Sequence, residues 1–273
     1  MKTAYLLLLA MLLVFTKISL AQESNEELAK AAQNPLANIM SFPFQNNTNF
    51  GYGPENDRAQ NILNIQPVLP FFDGKLITRT IFPLLWQPNW TDESGATMGL
   101  SNVLFTAFYA PKLKGITFGI GPALSFPASS AFFGSQKWSV GPSIVLLKMG
   151  KKFVYGALIN NIWSFAGEES ASDVNSFLLQ YFVNYNMKDG LYLTTAPIIT
   201  ANFEAADGQQ WTIPFGAGIG KIVKLGGKLP INMQASYYYN VVSPDFGPQS
   251  QLRLQIQIML PTSILKKGKT AAN

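Results

Sequence analysis

The sequence predicts an all-β fold: a transmembrane, antiparallel, up-and-down β-barrel of twelve strands. Three observations carry this. Apolar residues alternate with small or polar ones at period 2 through most of the chain, the signature of strands whose two faces meet different surroundings. The alternating segments run to about 11–13 residues each; soluble strands average about 5–6, while a tilted strand needs about 9–11 to cross a bilayer. Charged residues are only 13% of the 273, against roughly 25% in an ordinary soluble domain. A secreted β-sandwich would share the alternation, but its outward faces would be polar, and here the apolar face is continuous.

Taken in order, residues 1–21 read as a secretory signal peptide. Lys2 opens it, residues 4–15 are apolar, and Ser19-Leu20-Ala21 puts small residues at −3 and −1. The apolar run is shorter than the roughly 20 residues of a membrane anchor. Residues 22–38 follow as a periplasmic segment, with a short helix or plug expected over 26–33. Eleven alternating segments then lie at 59–71, 75–86, 97–109, 115–126, 137–148, 151–164, 174–186, 190–202, 209–221, 228–240 and 249–260. In the last, Leu252, Leu254, Ile256, Ile258 and Leu260 alternate with Gln251, Arg253, Gln255, Gln257 and Met259. Residues 261–273 form a basic tail with Lys266, Lys267 and Lys269.

The connections alternate between short and long, and outer-membrane barrels put short turns in the periplasm and long loops outside. That gives segment 59–71 a downward course, so the chain must already have crossed once. Residues 37–52 supply this crossing, either as a twelfth strand, which makes the count even, or by threading the lumen. Trp86, Trp138, Trp163 and Trp211 all fall at the long-loop ends of strands, as an aromatic girdle should. Lys75, Lys112, Lys114, Lys148, Lys151, Lys152 and Lys188 sit by short turns, while Asp92, Glu93, Glu168, Glu169, Asp173, Glu204, Asp207 and Asp245 lie on the long-loop side.

The lumen candidates follow from parity. Asn64 and Gln66 oppose the aliphatic face of 59–71, Gln234 and Tyr238 the aliphatic face of 228–240, and Arg253 and Gln255 that of the last segment. Arg79 must point inward, because an arginine facing lipid at mid-depth costs about 2–4 kcal/mol; Ile77 and Ile81 turn inward with it. Arg79 and Arg253 either line a solute path or simply satisfy buried amides.

With no cysteine and no histidine, a disulfide framework, a Cys/His zinc site, a cysteine nucleophile and a Ser-His-Asp triad are all excluded. No catalytic residue, cofactor or metal is expected. The glycine pairs around Ile120 and Ala217 lie within strands, so they read as packing and not as a nucleotide loop. The dispersed lysines give no nucleic-acid patch. The partners expected are outer-membrane lipid and a small solute.

Several stretches are similar to one bacterial family: Asn34-Pro35-Leu36-Ala37-Asn38, Pro43-Phe44-Gln45-Asn46-Asn47, Phe50-Gly51-Tyr52-Gly53-Pro54, Leu63-Asn64-Ile65-Gln66-Pro67-Val68, Leu76-Ile77-Thr78-Arg79-Thr80, Lys137-Trp138-Ser139-Val140-Gly141-Pro142, Asn161-Ile162-Trp163-Ser164-Phe165-Ala166-Gly167 and Trp211-Thr212-Ile213-Pro214. They resemble the MetA-pathway of phenol degradation family, whose members are often labelled "transporter" or "neuromedin U". The resemblance implies a Gram-negative outer-membrane barrel linked to uptake of aromatic or other hydrophobic compounds. It supplies no catalytic motif. Two functions result: a passive channel for small hydrophobic, aromatic or amphipathic solutes, or a structural or interaction barrel closed by its N-terminal segment.

Overall fold

The computed structural model describes residues 24–89 and 95–262. The signal-peptide reading at 1–21, the loop residues Asp92 and Glu93, and nearly all of the basic tail lie outside these residues. A helix, α1 (Asn25–Ala32), precedes fifteen strands: β1 (Met40–Tyr52), β2 (Arg58–Ile65), β3 (Val68–Phe71), β4 (Leu76–Pro88), β5 (Ala96–Leu100), β6 (Leu104–Tyr109), β7 (Thr117–Ser125), β8 (Lys137–Met149), β9 (Phe153–Gly167), β10 (Asn175–Asn186), β11 (Leu191–Thr195), β12 (Ile198–Asn202), β13 (Trp211–Leu225), β14 (Leu229–Val242) and β15 (Ser250–Leu260). Three pairs, β2–β3, β5–β6 and β11–β12, are each one stave broken in the middle. The result is a closed antiparallel barrel of twelve staves.

Residues 40–52 are a strand, the twelfth crossing. It closes the ring by pairing with β15 from Met40↔Leu260 to Phe50↔Ser250 and with β2 on its other edge. Closure leaves no free sheet edge, which is what hydrocarbon demands of backbone polar groups.

Each break in a stave has an identifiable cause. Proline has no N–H for a ladder. At Gln66-Pro67 the Pro67 carbonyl still accepts from Thr80 N at 3.1 Å. At Ala196-Pro197 the backbone turns its polar groups inward. The expected strand 97–109 is interrupted at 101–103, where the Asn102 side chain takes over the ladder's role. Its Nδ2 donates to the carbonyls of Phe126 at 2.9 Å and Ser135 at 2.8 Å, and its Oδ1 accepts from Ser135 N at 2.9 Å.

Alternation decides the two faces. On β15, Arg253, Gln257 and Met259 are buried while Leu254 and Ile256 are exposed. On β13, Phe215 and Ile219 face out, and a Cβ on inward Gly220 would strike the Tyr192 ring. The outer surface is an apolar band bordered by aromatics. Trp138, Trp163 and Trp211 are exposed at the long-loop end. There Phe177, Phe203 and Trp211 cluster with ring centroids 5.8–6.4 Å apart. Phe71, Phe72, Tyr109 and Phe153 are exposed at the short-turn end. Trp86 faces outward opposite Asn61. This is the band-and-girdle arrangement of a membrane barrel. No helix among the described residues is long and apolar enough to cross a membrane.

One polar group on the outer face departs from the pattern. Asn46, Thr48 and Asn61 point outward and satisfy one another at 2.8–3.2 Å. Mutual bonding lowers the cost of placing amides toward lipid.

Candidate functional site

The lumen has two unlike walls. Four adjacent staves, β14, β15, β1 and β2, turn amides inward: Asn232 and Gln234, Gln251 and Gln255, Gln45 and Asn47, Gln60 and Asn64. On the other side β3, β4, β6, β8, β9 and β10 contribute Val68, Ile77, Phe108, Val145, Leu147, Val154, Leu158 and Phe182, one contiguous apolar cluster. Glycines at this bend are close-approach positions. A Cβ on Gly121 would overlap the Ala107 carbonyl oxygen, and one on Gly141 the Asn161 carbonyl oxygen.

Arg253 organises the amide wall. Only 3% exposed, its Nη1 donates to the Ala196 carbonyl at 2.9 Å, its Nε to Asn47 Oδ1 at 3.2 Å and its Nη2 to Gln251 Oε1 at 3.0 Å. Its guanidinium lies 4.8 Å from the Tyr238 ring centroid, a cation–π contact. Tyr238 Oη accepts from Ala196 N at 3.2 Å, so the break at Ala196-Pro197 supplies both partners. From Gln251 a one-way relay runs across the wall. Gln251 donates to Asn49 (2.9 Å), Asn49 to Gln60 (2.8 Å), Gln60 to Gln87 (2.7 Å) and Gln87 to Tyr52 Oη (2.8 Å). Every amide carbonyl in it points back toward Arg253, so aligned dipoles stabilise the buried cation cooperatively.

Arg79 faces inward from β4, opposite Val68 and Thr106, and Ile77 is fully buried beside it. Its Nη2 donates to Gln66 Oε1 at 2.5 Å. Among the described residues neither arginine is ion-paired; the carboxylates found in ion pairs are Asp57 with Arg58 and Asp173 with Lys137.

The N-terminal segment enters the barrel at the short-turn end. Ser24 and Glu27 form a capping box, each bonding the other's backbone N–H at 3.1 Å, which starts the helix. Leu28 and Ala29 are buried against Tyr192, Ile222 and Met259. Gln33 and Asn186 exchange two bonds, 2.9 and 3.1 Å. Glu26 Oε1 accepts from Asp189 N at 2.8 Å. Backbone N–H donors, its own first and then that of Asp189, hold the Glu26 carboxyl below its ordinary range. Farther on, Leu36 packs into the apolar cluster, over Gly119, where a Cβ would lie 2.6 Å from a Leu36 methyl. This segment stands between the lumen and the short-turn end.

Above it lies a chamber of about 150 Å³, bounded by Gln33, Pro35 and Ile39 below, by Gln66, Arg79, Arg253 and Gln255 on the polar side, and by Leu158 and Phe182 on the apolar side. A second cavity of about 630 Å³ opens at the long-loop end, among Asn102, Ser125, Ser139, Ser176 and Asn202.

Of the residues singled out in the sequence, Arg79, Arg253, Gln66, Gln234 and Gln255 meet around the chamber. Tyr238 is buried beneath Arg253, and Asn64 lies beside Gln45, away from the chamber lining. Asn232 and Gln257, on the polar faces read from the sequence, join the lining. Sequence reasoning did not single out Gln45, or Tyr192, whose hydroxyl donates to Asn232 Oδ1 at 2.8 Å; Gln45 pairs with Asn64 and could have been found from its parity. Among the described residues no cluster of acidic side chains could hold a metal ion.

No protein-family model matches the chain, and no curated protein matches it significantly. Solved structures do. The NanC porin superposes with a TM-score of 0.55 at 10% identity, over 81% of this chain and 98% of that one. An outer membrane channel from Pseudomonas putida F1 superposes with a TM-score of 0.56 at 18% identity, over 81% and 94%. The outer membrane phospholipase A of Escherichia coli reaches only 0.40 at 11% identity, over 85% and 97%, too distant to inform chemistry. The fold is that of a bacterial outer-membrane β-barrel.

Proposed function

We propose that this barrel is a passive outer-membrane channel for small hydrophobic, aromatic or amphipathic solutes. The observation that carries the reading is the two-sided lumen: a chamber of about 150 Å³ between an amide wall and a largely apolar wall. Barrels of eight staves are filled by side chains and those of sixteen or more leave an aqueous pore; twelve staves fall between the two, which suits a narrow route. A cavity near 150 Å³ lined by apolar groups holds a benzene-sized molecule elsewhere. Two solved barrels of like fold are a porin and an outer membrane channel, and the resemblance to a family linked to uptake of aromatic compounds points the same way. An esterase-type serine mechanism has no histidine to use.

The docked N-terminal segment favours a second reading, a structural or interaction barrel closed at its short-turn end. Liposome swelling with graded neutral solutes separates the two. The channel reading expects swelling that falls with solute size and rises when residues 22–38 are deleted. If neither the full chain nor the deletion passes any solute, the channel reading fails.

A further inference from the structure

We infer that the chamber is a binding site for a small carboxylate carrying an apolar body of about one aromatic ring. The inference deepens the channel reading, on which it rests for the solute's way in. Two guanidiniums line one chamber, and among the described residues neither has a carboxylate partner. The lining holds no acidic side chain: its polar members are amides, hydroxyls and the two arginines. A buried cation without a counter-charge is costly, and the cost is recovered when an anion arrives.

The two arginines differ in how much they have left to give. Arg253 is bonded at all three of its guanidinium nitrogens, to Asn47, Ala196 and Gln251. Arg79 bonds Gln66 through Nη2. A guanidinium has five N–H donors in a planar fork that matches a carboxylate bidentately. Arg79 is therefore the grasping residue, and Arg253 contributes fixed positive potential from the neighbouring wall. Gln255 and Gln66 offer amide N–H groups beside them.

The apolar part of the lining sets the rest of the ligand. Phe182, Leu158, Val68 and Ile39 face the same space and present no hydrogen-bonding side-chain group. An inorganic anion would leave these four side chains uncovered, while Gln180 and Asn184 on either side of Phe182 leave room for one further polar substituent. A ring or short branched chain bearing one carboxylate satisfies both walls. The volume of about 150 Å³ limits the body to about one ring.

Isothermal titration of the full chain in detergent tests this without requiring transport, using sodium benzoate, benzyl alcohol and benzylamine as probes of equal size and different charge. Benzoate should bind at least about tenfold tighter than benzyl alcohol, as a charge-assisted bidentate bond requires, and benzylamine should not bind. Arg79→Gln should remove the preference for benzoate and Arg79→Lys should keep part of it. Equal binding of benzoate and benzyl alcohol, or no benzoate binding, overturns the inference on the wild-type protein alone, whatever the variants do. Swelling assays keep the two readings apart. Benzoate binding without any solute flux would leave the site and remove the channel; flux of neutral solutes without benzoate binding would do the reverse.

Discussion

Replacing Leu36 by alanine should open the short-turn end of the lumen. Leu36 is 6% exposed and packs among Ile77, Phe108, Val145 and Leu158 in the apolar cluster. If the N-terminal segment leaves, that side chain meets water, so the docked state carries its whole burial energy. Truncating a buried leucine costs about 2–5 kcal/mol, transfer and cavity together. The Gln33–Asn186 bonds hold the same segment for about 1 kcal/mol each, and they survive the change. At about 1.4 kcal/mol per decade, even 2 kcal/mol shifts the docked-to-free ratio ~30-fold. The assay is conductance in planar bilayers, with wild type, Leu36→Ala and a deletion of residues 22–38 side by side. Leu36→Ala should lie well above wild type and approach the deletion. If the deletion conducts and Leu36→Ala stays at the wild-type level, Leu36 does not hold the segment. If the deletion does not conduct, this segment is not what closes the lumen.

Gly119→Leu should act in the same direction from the wall, since even a Cβ there would lie 2.6 Å from Leu36 and 3.4 Å from Phe108; a wild-type conductance would show that the leucine can move aside at no cost. The Glu26 contact adds a pH dependence. Its carboxyl is held below its ordinary range, so its help to docking is present above the free-glutamate pKa and is lost as pH falls through the lower, docked value. Conductance should rise as pH drops below roughly 4.3, with Glu26→Gln flattening that rise; an unchanged profile in the variant would remove Glu26 from the closure. The acidic long-loop side, including Glu168, Glu169, Asp173 and Asp207, repels an approaching carboxylate. Benzoate association should therefore quicken with added salt, because the Debye length shrinks from about 30 Å at 0.01 M to about 8 Å at 0.15 M; stopped-flow rates that fall with salt would contradict this. Replacing Asn46, Thr48 and Asn61 together by Leu, Val and Leu should be neutral or stabilising to heat in detergent, since among the described residues these side chains bond one another; a large loss of stability would mean that these groups have another partner.

Much of the wall was legible because a period of 2 is a local property. Each inward residue of β14 and β15 can be counted from its neighbour, and Arg79 settled the parity of β4 through the cost of an arginine in lipid. The breaks were less legible. Pro67 and Pro197 stand within long alternating runs, and one proline interrupts a ladder without ending a stave. At 101–103 the cause is Asn102 reaching Phe126 and Ser135, a contact across elements that no window of sequence contains. The seat of α1 was least visible. Leu28, Ala29 and Leu36 are too few and too irregular to declare a buried face, and their partners Tyr192 and Ile222 lie far along the chain. The outward turn of Asn46 was hidden because Gln45, Asn46 and Asn47 are all amides, and a run of one chemistry has no phase.

The two-faced lumen also bears on rotation. Amides gather on β14 to β2, and the cluster of Ile77, Phe108, Val145, Leu158 and Phe182 lies on the other side with Arg79 and Asn184 set beside it, so a molecule between them has one preferred roll angle and must keep it while it stays there. A ring whose polar groups reach the amides or Arg79 can satisfy both sides at once, whereas an isomer that turns a polar group toward Leu158 and Phe182 leaves it unpaired. Positional isomers of equal size and equal overall polarity should therefore be told apart, much as a keyed slot rejects a blade cut on both edges.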